Sequence, residues 1–327
     1  MKITRQLIYF VVTFSALCLA LQLSLSAQAL DTINGEKKTI GKGTVRTWLK
    51  VDAKTREPRV IGVSLSEAGL SGLPEDNDAA QAGSVKLKLM DGGPDHTFEY
   101  ELKFPPEAAE TAFKHMGFNW NPKGHGPKGI FDRGHFDVHF YMATTEYRHA
   151  IHVDLKDADP SYVKVSNLEP PAQFLPPDYQ LAPNTAEPRM GSHYADVTSD
   201  QLKPGNFTNI FLIGAHGGNI LFWEPMLTRA YLQTKPHFTG KLKLPEAYPV
   251  SGYYPTAYSV IYDANRKEID VSLDDLTFRL ASYPKNVYGV DACMDSRVAQ
   301  MISKYRRVPD IPAIKNCINL LRPVVAK

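Results

Sequence analysis

Residues 135–141 place two imidazoles and a carboxylate on one side of a predicted β-strand. The run reads His-Phe-Asp-Val-His-Phe-Tyr. Because successive side chains of a strand point to opposite faces, His135, Asp137 and His139 share one face, and the other face carries only Phe and Val. Imidazole and carboxylate groups bind divalent transition metals. The pattern predicts a metal site; its alternative is a pair of histidines on the surface or hydrogen-bonded in the core.

The spacing lets both histidines reach one ion. At about 3.3 Å per strand residue, the Cα atoms of His135 and His139 lie about 13 Å apart. An imidazole and its metal bond of about 2 Å together span roughly 8 Å. Asp137, between them, is then either a direct ligand or the acceptor that fixes a histidine tautomer, and the spacing leaves both roles open.

A metal ion needs further ligands from other parts of the chain, and three residues are candidates. His125 lies in a Gly-rich loop before the strand, His193 follows Gly191-Ser192, and Glu224 precedes a proline that fixes the next turn. We expect them to converge on the same ion. The predicted metal ligands are His125, His135, Asp137, His139, His193 and Glu224. Zinc is the expected divalent transition metal, with manganese and iron as alternatives.

The elements that must position these residues are mainly strands. Period-two alternation predicts one hairpin over 45–51 and 59–65 and a second over 85–89 and 98–104. Further predicted strands are 210–213, 220–223, 257–262 and 269–273. A short helix is expected at 105–113, before the motif strand, because prolines and an acid suit a first helical turn. The predicted fold is mainly β, an antiparallel barrel or sandwich, with a cupin-like arrangement as one alternative and with a small helical C-terminal tail at about 295–327.

The first 29 residues have the pattern of a secretory signal peptide. Lys2 and Arg5 precede an apolar run over 8–25, and Ser26-Ala27-Gln28-Ala29 supplies the small residues of a cleavage site. The alternative is an uncleaved anchor helix. We expect cleavage to leave a single extracytoplasmic domain over 30–327, crossed by a proline-rich connector at about 160–188. Cys293 and Cys317 would be its only cysteines, predicting a disulfide or else two buried thiols.

Net charge limits the partners of this domain. The chain has 37 Lys and Arg against 35 Asp and Glu, a net charge of +2. The two excess bases lie in the leader, which contains no acid, so the mature domain is formally neutral. A neutral domain does not gather nucleic acid or anionic lipid, and we expect neither nucleic-acid binding nor membrane contact after cleavage. A small-molecule ligand and a homo-oligomer remain as candidate partners.

Several short motifs give the chain a resemblance to a known family. They are Gly72-Leu73-Pro74, Asn119-Trp120-Asn121-Pro122 with Gly124-His125, His135-Phe136-Asp137 to His139-Phe140-Tyr141, Gly191-Ser192-His193, Glu224-Pro225-Met226 and Gly252-Tyr253-Tyr254-Pro255. With these motifs the sequence resembles an uncharacterised family of bacterial exported proteins, a domain of unknown function whose prototype is a sigma-E-controlled protein of a thermophile. The resemblance covers nearly all of the mature chain. It implies an extracytoplasmic, mainly β protein and no particular reaction.

Two functions fit these observations. In the first, the protein is a metal-dependent enzyme that acts on a small molecule, and its metal ion has three protein ligands and one open coordination position. In the second, the protein is a non-catalytic envelope or stress-related structural or binding protein, in which the metal is structural or absent. The sequence contains no Gly-x-Ser-x-Gly motif and no dinucleotide fingerprint, so it names no catalytic residues.

Overall fold

The structure of the protein is a computed structural model, in which residues 29–89, 96–151 and 165–281 are described. Most of the predicted signal peptide, the predicted helical tail, Cys293 and Cys317 lie outside the described residues. Within them, no helix is long and apolar enough to cross a membrane.

The described residues are mainly strands. In chain order they are β1 (Leu30–Ile40), β2 (Gly43–Asp52), β3 (Pro58–Ser66), β4 (Val85–Lys88), β5 (His96–Lys103), β6 (His115–Asn121), β7 (His135–Tyr141), β8 (Tyr179–Leu181), β9 (Ser192–Asp196), β10 (Asn209–His216), β11 (Asn219–Thr228), β12 (His237–Lys241), β13 (Gly252–Tyr254), β14 (Ala257–Asp263), β15 (Glu268–Asp274) and β16 (Thr277–Arg279). Both predicted hairpins are present, as β2–β3 and β4–β5, and the four further predicted strands lie within β10, β11, β14 and β15.

The helices are short. Two α-helices of five residues span Thr145–His149 and Arg229–Gln233. Single 3-10 turns span Glu67–Leu70, Pro106–Glu110, Ala172–Phe174 and Asp200–Leu202. The helix predicted at 105–113 is therefore only a 3-10 turn. Its C-cap residue Thr111 has an extended backbone, so the two prolines start a turn that does not propagate.

Two large antiparallel sheets make the architecture. One has six strands in the order β1-β2-β3-β15-β14-β12, and the other has eight in the order β4-β5-β6-β7-β11-β10-β9-β8. A small third sheet pairs β13 with β16. Each large sheet has two different edge strands, so neither closes on itself. The prediction of a mainly β antiparallel fold is confirmed, and the described residues form the sandwich-like alternative.

The main core contains side chains from both large sheets. Val63 of β3 and Val271 of β15 share one buried cluster with Phe136, Val138 and Phe140 of β7. The side chains predicted for the core are all at most 2 % exposed; they are Trp48, Phe98, Tyr100, Phe136, Phe140, Leu221 and Trp223. Leu221 belongs to a different cluster from Phe98, Tyr100, Phe136, Phe140 and Trp223, on the far side of the eight-stranded sheet.

That far side of the eight-stranded sheet is also covered. Phe131 and Phe207, from segments between strands, pack against Leu212 and Met226. A separate cluster joins Met190 and Ile151 to Tyr141 and Phe222. As a result, all seven residues of β7 are buried, and the polar side of this strand faces a protein interior rather than water.

Candidate metal centre

The structure brings the six predicted ligands together, in two groups of three. We call His125, His135 and Asp137 the first triad, and His139, His193 and Glu224 the second triad. Within each triad, ligand atoms from the three residues all lie within 4.8 Å of one another. The expectation of one ion surrounded by all six residues is thus replaced by two neighbouring groups on one face of the sheet.

The first triad is centred on the Asp137 carboxylate. Its Oδ1 lies 3.0 Å from His135 Nε2, and its Oδ2 lies 3.7 Å from His125 Nε2. Despite their closeness, His135 Nε2 and Asp137 Oδ1 form no hydrogen bond with each other or with any other described residue. Oδ2 accepts a 2.7 Å hydrogen bond from the Asn121 side-chain amide, which fixes the carboxylate plane.

Backbone carbonyls fix the tautomers of both histidines in the first triad. The Nδ1 atom of His125 lies 2.8 Å from the Gly126 carbonyl oxygen, and that of His135 lies 2.6 Å from the Arg133 carbonyl oxygen. A carbonyl only accepts, so each Nδ1 carries a proton and donates it. When the ring is neutral, each Nε2 therefore presents a lone pair toward Asp137. Histidines that bind metals are held in this way.

The second triad repeats the arrangement around Glu224. Its Oε1 lies 3.4 Å from His139 Nε2, and its Oε2 lies 3.8 Å from His193 Nε2. His193 donates from Nδ1 to the Thr185 carbonyl oxygen at 2.9 Å. In the described part of the chain, both ring nitrogens of His139 and Oε2 of Glu224 lack a hydrogen-bond partner. Buried polar atoms without partners are costly, and an ion between them would satisfy them.

The sheet register explains how these residues meet. In the β7–β11 pairing, Trp223 lies opposite Phe140 and Met226 opposite Asp137, which places Glu224 beside His139 on the same face. His193 comes from β9, on the other side of β10, and pairs there with Gly214.

Gly214 makes the approach of His193 possible. A Cβ atom at this position would lie 2.0 Å from the Phe222 ring, so the ring occupies the space of the absent side chain. Phe222 contacts both histidines of the second triad edge-on, with ring centroids 4.7 Å from His139 and 5.3 Å from His193. The ring therefore sets the spacing between the two imidazoles.

The distances within the triads match those between ligands on one ion. With bonds of 2.0–2.1 Å, two ligands on a tetrahedral zinc lie about 3.3 Å apart. The four nitrogen-to-oxygen distances of the triads are 3.0 to 3.8 Å. Three protein ligands leave one tetrahedral position open, which is the arrangement found at catalytic rather than closed structural zinc sites.

Burial and neighbouring charge shift the pKa values of the Asp137 and Glu224 carboxylates in opposite directions. Burial favours the neutral form of Asp137, but the adjacent His135 and His125 outweigh it and hold the pKa of Asp137 well below its usual value. Glu224 has no such cation beside it. Burial, with the charge of Asp137 added, raises the pKa of Glu224 well above its usual value. Without an ion, Asp137 is thus the anionic member of the pair.

The pKa values of the histidines also differ between the two triads. Burial lowers the pKa of His139 to about 3 and that of His193 to about 4, so both are neutral and suited to binding a cation. Burial also opposes the charge of His125, but the Asp137 carboxylate prevails and raises the pKa of His125 to about 9. The first triad therefore holds a proton that an incoming ion must displace.

A third group of acidic and imidazole side chains adjoins the triads and was not predicted. Glu99 and Glu101 of β5 and His149 have ligand atoms within 4.8 Å of one another. Arg148, which is fully buried, donates to both carboxylate oxygens of Glu99, at 2.5 and 3.1 Å, and also to Glu101. A protein cation already neutralises these acids, so the group is an ion-pair network whose Arg148–Glu99 part is buried.

His115 and Tyr141 lie between this network and the second triad. Their rings stack with centroids 4.8 Å apart, and the Arg148 guanidinium lies over the Tyr141 ring at 4.5 Å. Burial lowers the pKa of His115 to about 4 and raises that of Tyr141. Tyr141 also stacks on His139, at 5.4 Å, and so connects the ion pairs to the triad.

A cavity of about 360 Å³ opens beside the triads. His125, Asp137 and His193 line it, so both triads contribute to its wall. Most of the remaining lining is apolar, from the loop after His125 and from the segment around β8. The cavity thus places a space of ligand size beside two members of the first triad and one member of the second.

One comparison with known proteins gives a match. A family model described as TTHB210-like, hypothetical protein TTHB210, matches residues 57–120. This range runs from β3 through most of β6 and ends before the first of the six predicted ligands. It supports the resemblance to an uncharacterised family over that part of the chain. No curated protein and no solved structure was found to match.

Proposed function

We propose that this protein binds divalent transition-metal ions at both triads and presents them to a small molecule held in the adjacent cavity. The proposed ligands are His125, His135 and Asp137 for one ion and His139, His193 and Glu224 for the other. With three protein ligands each, the ions would supply Lewis-acid or hydrolytic chemistry to a molecule in the cavity.

One observation carries the proposal. His125, His135 and His193 each donate an Nδ1 proton to a backbone carbonyl, and each turns its Nε2 toward a buried carboxylate. Ordinary core histidines satisfy both nitrogens, and their carboxylate partners accept the second proton. Here each Nε2 has no proton to give when the ring is neutral, so nitrogen and oxygen lone pairs face each other across the space of an ion.

The chemistry of the ligands favours zinc. Two imidazoles and one carboxylate form each triad, and imidazole-rich sites of this size suit zinc better than calcium or magnesium, which prefer oxygen alone. Manganese and iron accept the same ligands and are the alternatives.

We also propose that the protein acts outside the cytoplasm. The support is the basic, apolar and small-residue pattern of residues 1–29. Together with the match to an uncharacterised family, this gives an exported metal protein of a family whose reaction is not known.

Metal content measured by mass spectrometry on untagged protein tests the proposal. We expect two ions per chain in the wild type, one in His135→Ala, one in His139→Ala and none when both substitutions are combined. His237→Ala is the matched control, because His237 lies exposed on the edge strand β12 and should leave two ions bound. Unchanged metal content in both triad variants would eliminate the site.

A second function has its own support. His139 is fully buried and Glu224 is 1 % exposed, as expected for an ion that only holds the fold together. A structural ion completes its shell with protein atoms, whereas an ion available to a substrate keeps an exchangeable water. Absorption spectra of the cobalt-substituted protein separate the two. A spectrum that shifts when azide is added supports the open site, and an unresponsive spectrum supports the structural role.

A further inference from the structure

We propose that the cavity binds a small apolar molecule with a single carboxylate group, which contacts the ions of the triads. This inference rests on the proposed function, since it takes both triads to be loaded. It adds the chemical class of the ligand, which metal binding alone leaves open.

The size of the cavity limits the ligand. Its volume is about 360 Å³, near the lower end of the range for small-molecule sites. Since a cavity of about 150 Å³ accommodates benzene in a protein core, this one has room for about a dozen non-hydrogen atoms. The ligand is therefore a compact molecule rather than a polymer segment or a nucleotide.

The lining of the cavity indicates an apolar body. Its apolar side chains include Leu89, Ile130, Phe131, Leu181, Met190 and Leu212. Phe131, Met190 and Leu212 are buried, so they form a fixed inner wall. Val197 also lines the cavity but is 49 % exposed, which places an apolar side chain at the rim where water would otherwise meet it. Burying this surface favours a ligand with few polar atoms.

The charges around the cavity indicate the head group. Asp137 and Glu187 line the cavity, and no Lys or Arg is found among the lining residues that the structure describes. The metal-free cavity therefore offers an anion neither a Lys nor an Arg partner. Two divalent ions carry four positive charges, more than the carboxylates of Asp137 and Glu224 neutralise, and they supply the positive charge that the lining lacks. Binding of an anionic ligand should depend on the metal.

A carboxylate fits better than a phosphate. Each triad leaves one position open, and a carboxylate offers one oxygen to each of two ions or both oxygens to one. Proteins that bind phosphate surround its remaining oxygens with Arg, Lys or successive backbone N–H groups. Among the described residues, neither Lys nor Arg lines this cavity.

Calorimetry of the metal-loaded protein with straight-chain carboxylates tests the inference. From acetate to octanoate we expect the affinity to rise about fourfold per added CH₂ group, as apolar burial requires, and to stop rising once the cavity is filled. The matched alcohols and inorganic phosphate should each bind to the metal-loaded protein at least tenfold more weakly than octanoate does. Octanoate itself should bind to the metal-free protein at least tenfold more weakly than to the loaded protein.

A variant at the rim places the ligand in this cavity. Val197→Glu should weaken octanoate binding about fivefold, because it removes apolar contact with the body of the ligand and adds negative charge to the rim. Val197→Thr, which keeps the shape of the side chain without the charge, should weaken it less. Because Val197 is half-exposed and is not one of the proposed ligands, both variants should retain two ions per chain, which metal analysis on the same samples verifies.

The outcomes separate the two proposals. Two bound ions without octanoate binding would overturn the carboxylate ligand and leave the metal sites intact. Alcohols or phosphate that bind as tightly as octanoate would also overturn it. A protein that takes up no metal would overturn both proposals.

Discussion

The His193 Nε2 atom lies 3.8 Å from Glu224 Oε2, although their strands, β9 and β11, are separated by β10. Strands two positions apart in a sheet are about 9.6 Å from each other. The imidazole therefore crosses over β10, and it does so in the row where Gly214 has no side chain. Phe222 fills that row and packs against both histidines of the second triad.

Gly214→Ala should therefore disturb the second triad more than the first. The new Cβ atom would lie 2.0 Å from the Phe222 ring and push the ring toward the imidazoles. We expect a loss of about 1–3 kcal/mol in the free energy of unfolding, from overpacking. Metal analysis should show reduced occupancy of one ion per chain. Equal loss from both triads would show that the effect is general unfolding.

Asn121→Ala should weaken metal binding at the first triad without removing a ligand. The Asn121 amide donates to Asp137 Oδ2 at 2.7 Å and holds the carboxylate in place. Loss of such a supporting hydrogen bond lowers metal affinity by about 10–100-fold. Competition with a chelator in the His139→Ala background measures this triad alone. Asn119→Ala is the control, because the Asn119 side-chain amide donates to Thr97 Oγ1 instead of to Asp137. The metal affinity of the first triad should change little in this variant.

Binding of an ion to the first triad should release a proton. The pKa of His125 is raised to about 9, so at pH 7 the metal-free imidazole is charged and must lose a proton before it binds a cation. Affinity should then rise about tenfold per pH unit up to about pH 9. Calorimetry at pH 7 in buffers with different ionisation enthalpies counts the protons released. If the His139→Ala variant released close to no protons per bound ion, the charged state of His125 would be contradicted.

The metal-free protein should lose stability as the pH falls from about 6.5 toward 4. In the folded protein, burial lowers the pKa of His139 to about 3 and of His193 to about 4. In the unfolded chain both titrate near 6.5, so below that pH the unfolded state binds more protons and is favoured. Each histidine contributes about 1.4 kcal/mol per pH unit to this slope. Urea unfolding of His139→Gln between pH 6 and 4.5 should show the slope reduced by about that amount, and an unchanged slope would contradict the prediction.

Arg148→Met should be one of the most destabilising single changes in the described part of the chain. It leaves the buried Glu99 with only the Arg189 guanidinium, 3.1 Å away, as a counter-charge. Breaking a buried pair costs about 3–5 kcal/mol. Combining it with Glu99→Gln should recover much of the loss, because the buried charge is then gone. Unfolding measured with a chelator present separates this effect from metal binding; a double variant no more stable than Arg148→Met would disprove the explanation.

Much of the candidate site could be predicted from the sequence because strand periodicity is a local signal. Alternation alone placed His135, Asp137 and His139 on one face, and the structure keeps them there. The division into two triads was not predictable in this way. It depends on which strands neighbour β7 and in which register, a long-range property that places Glu224 beside His139 and away from Asp137.

The buried ion pairs show a second limit of the sequence. In β5, Phe98, Tyr100 and Leu102 alternate with Glu99 and Glu101, a pattern typical of a strand with one side in water. Both sides of this sheet are instead covered. Alternation separates apolar from polar faces but does not say what lies over the polar one, so Arg148 as a buried partner could not be predicted from the sequence.

The covering of the eight-stranded sheet has a consequence for exchange with the surroundings. His125 lies in the loop between β6 and β7, and His193 is held through Thr185 in the segment before β9, so both triads include residues tied to segments that cross the sheet. Opening of those segments away from the strands would withdraw a proposed ligand from each triad. The residence time of a bound ion should then depend on backbone opening as well as on exchange through the adjacent cavity.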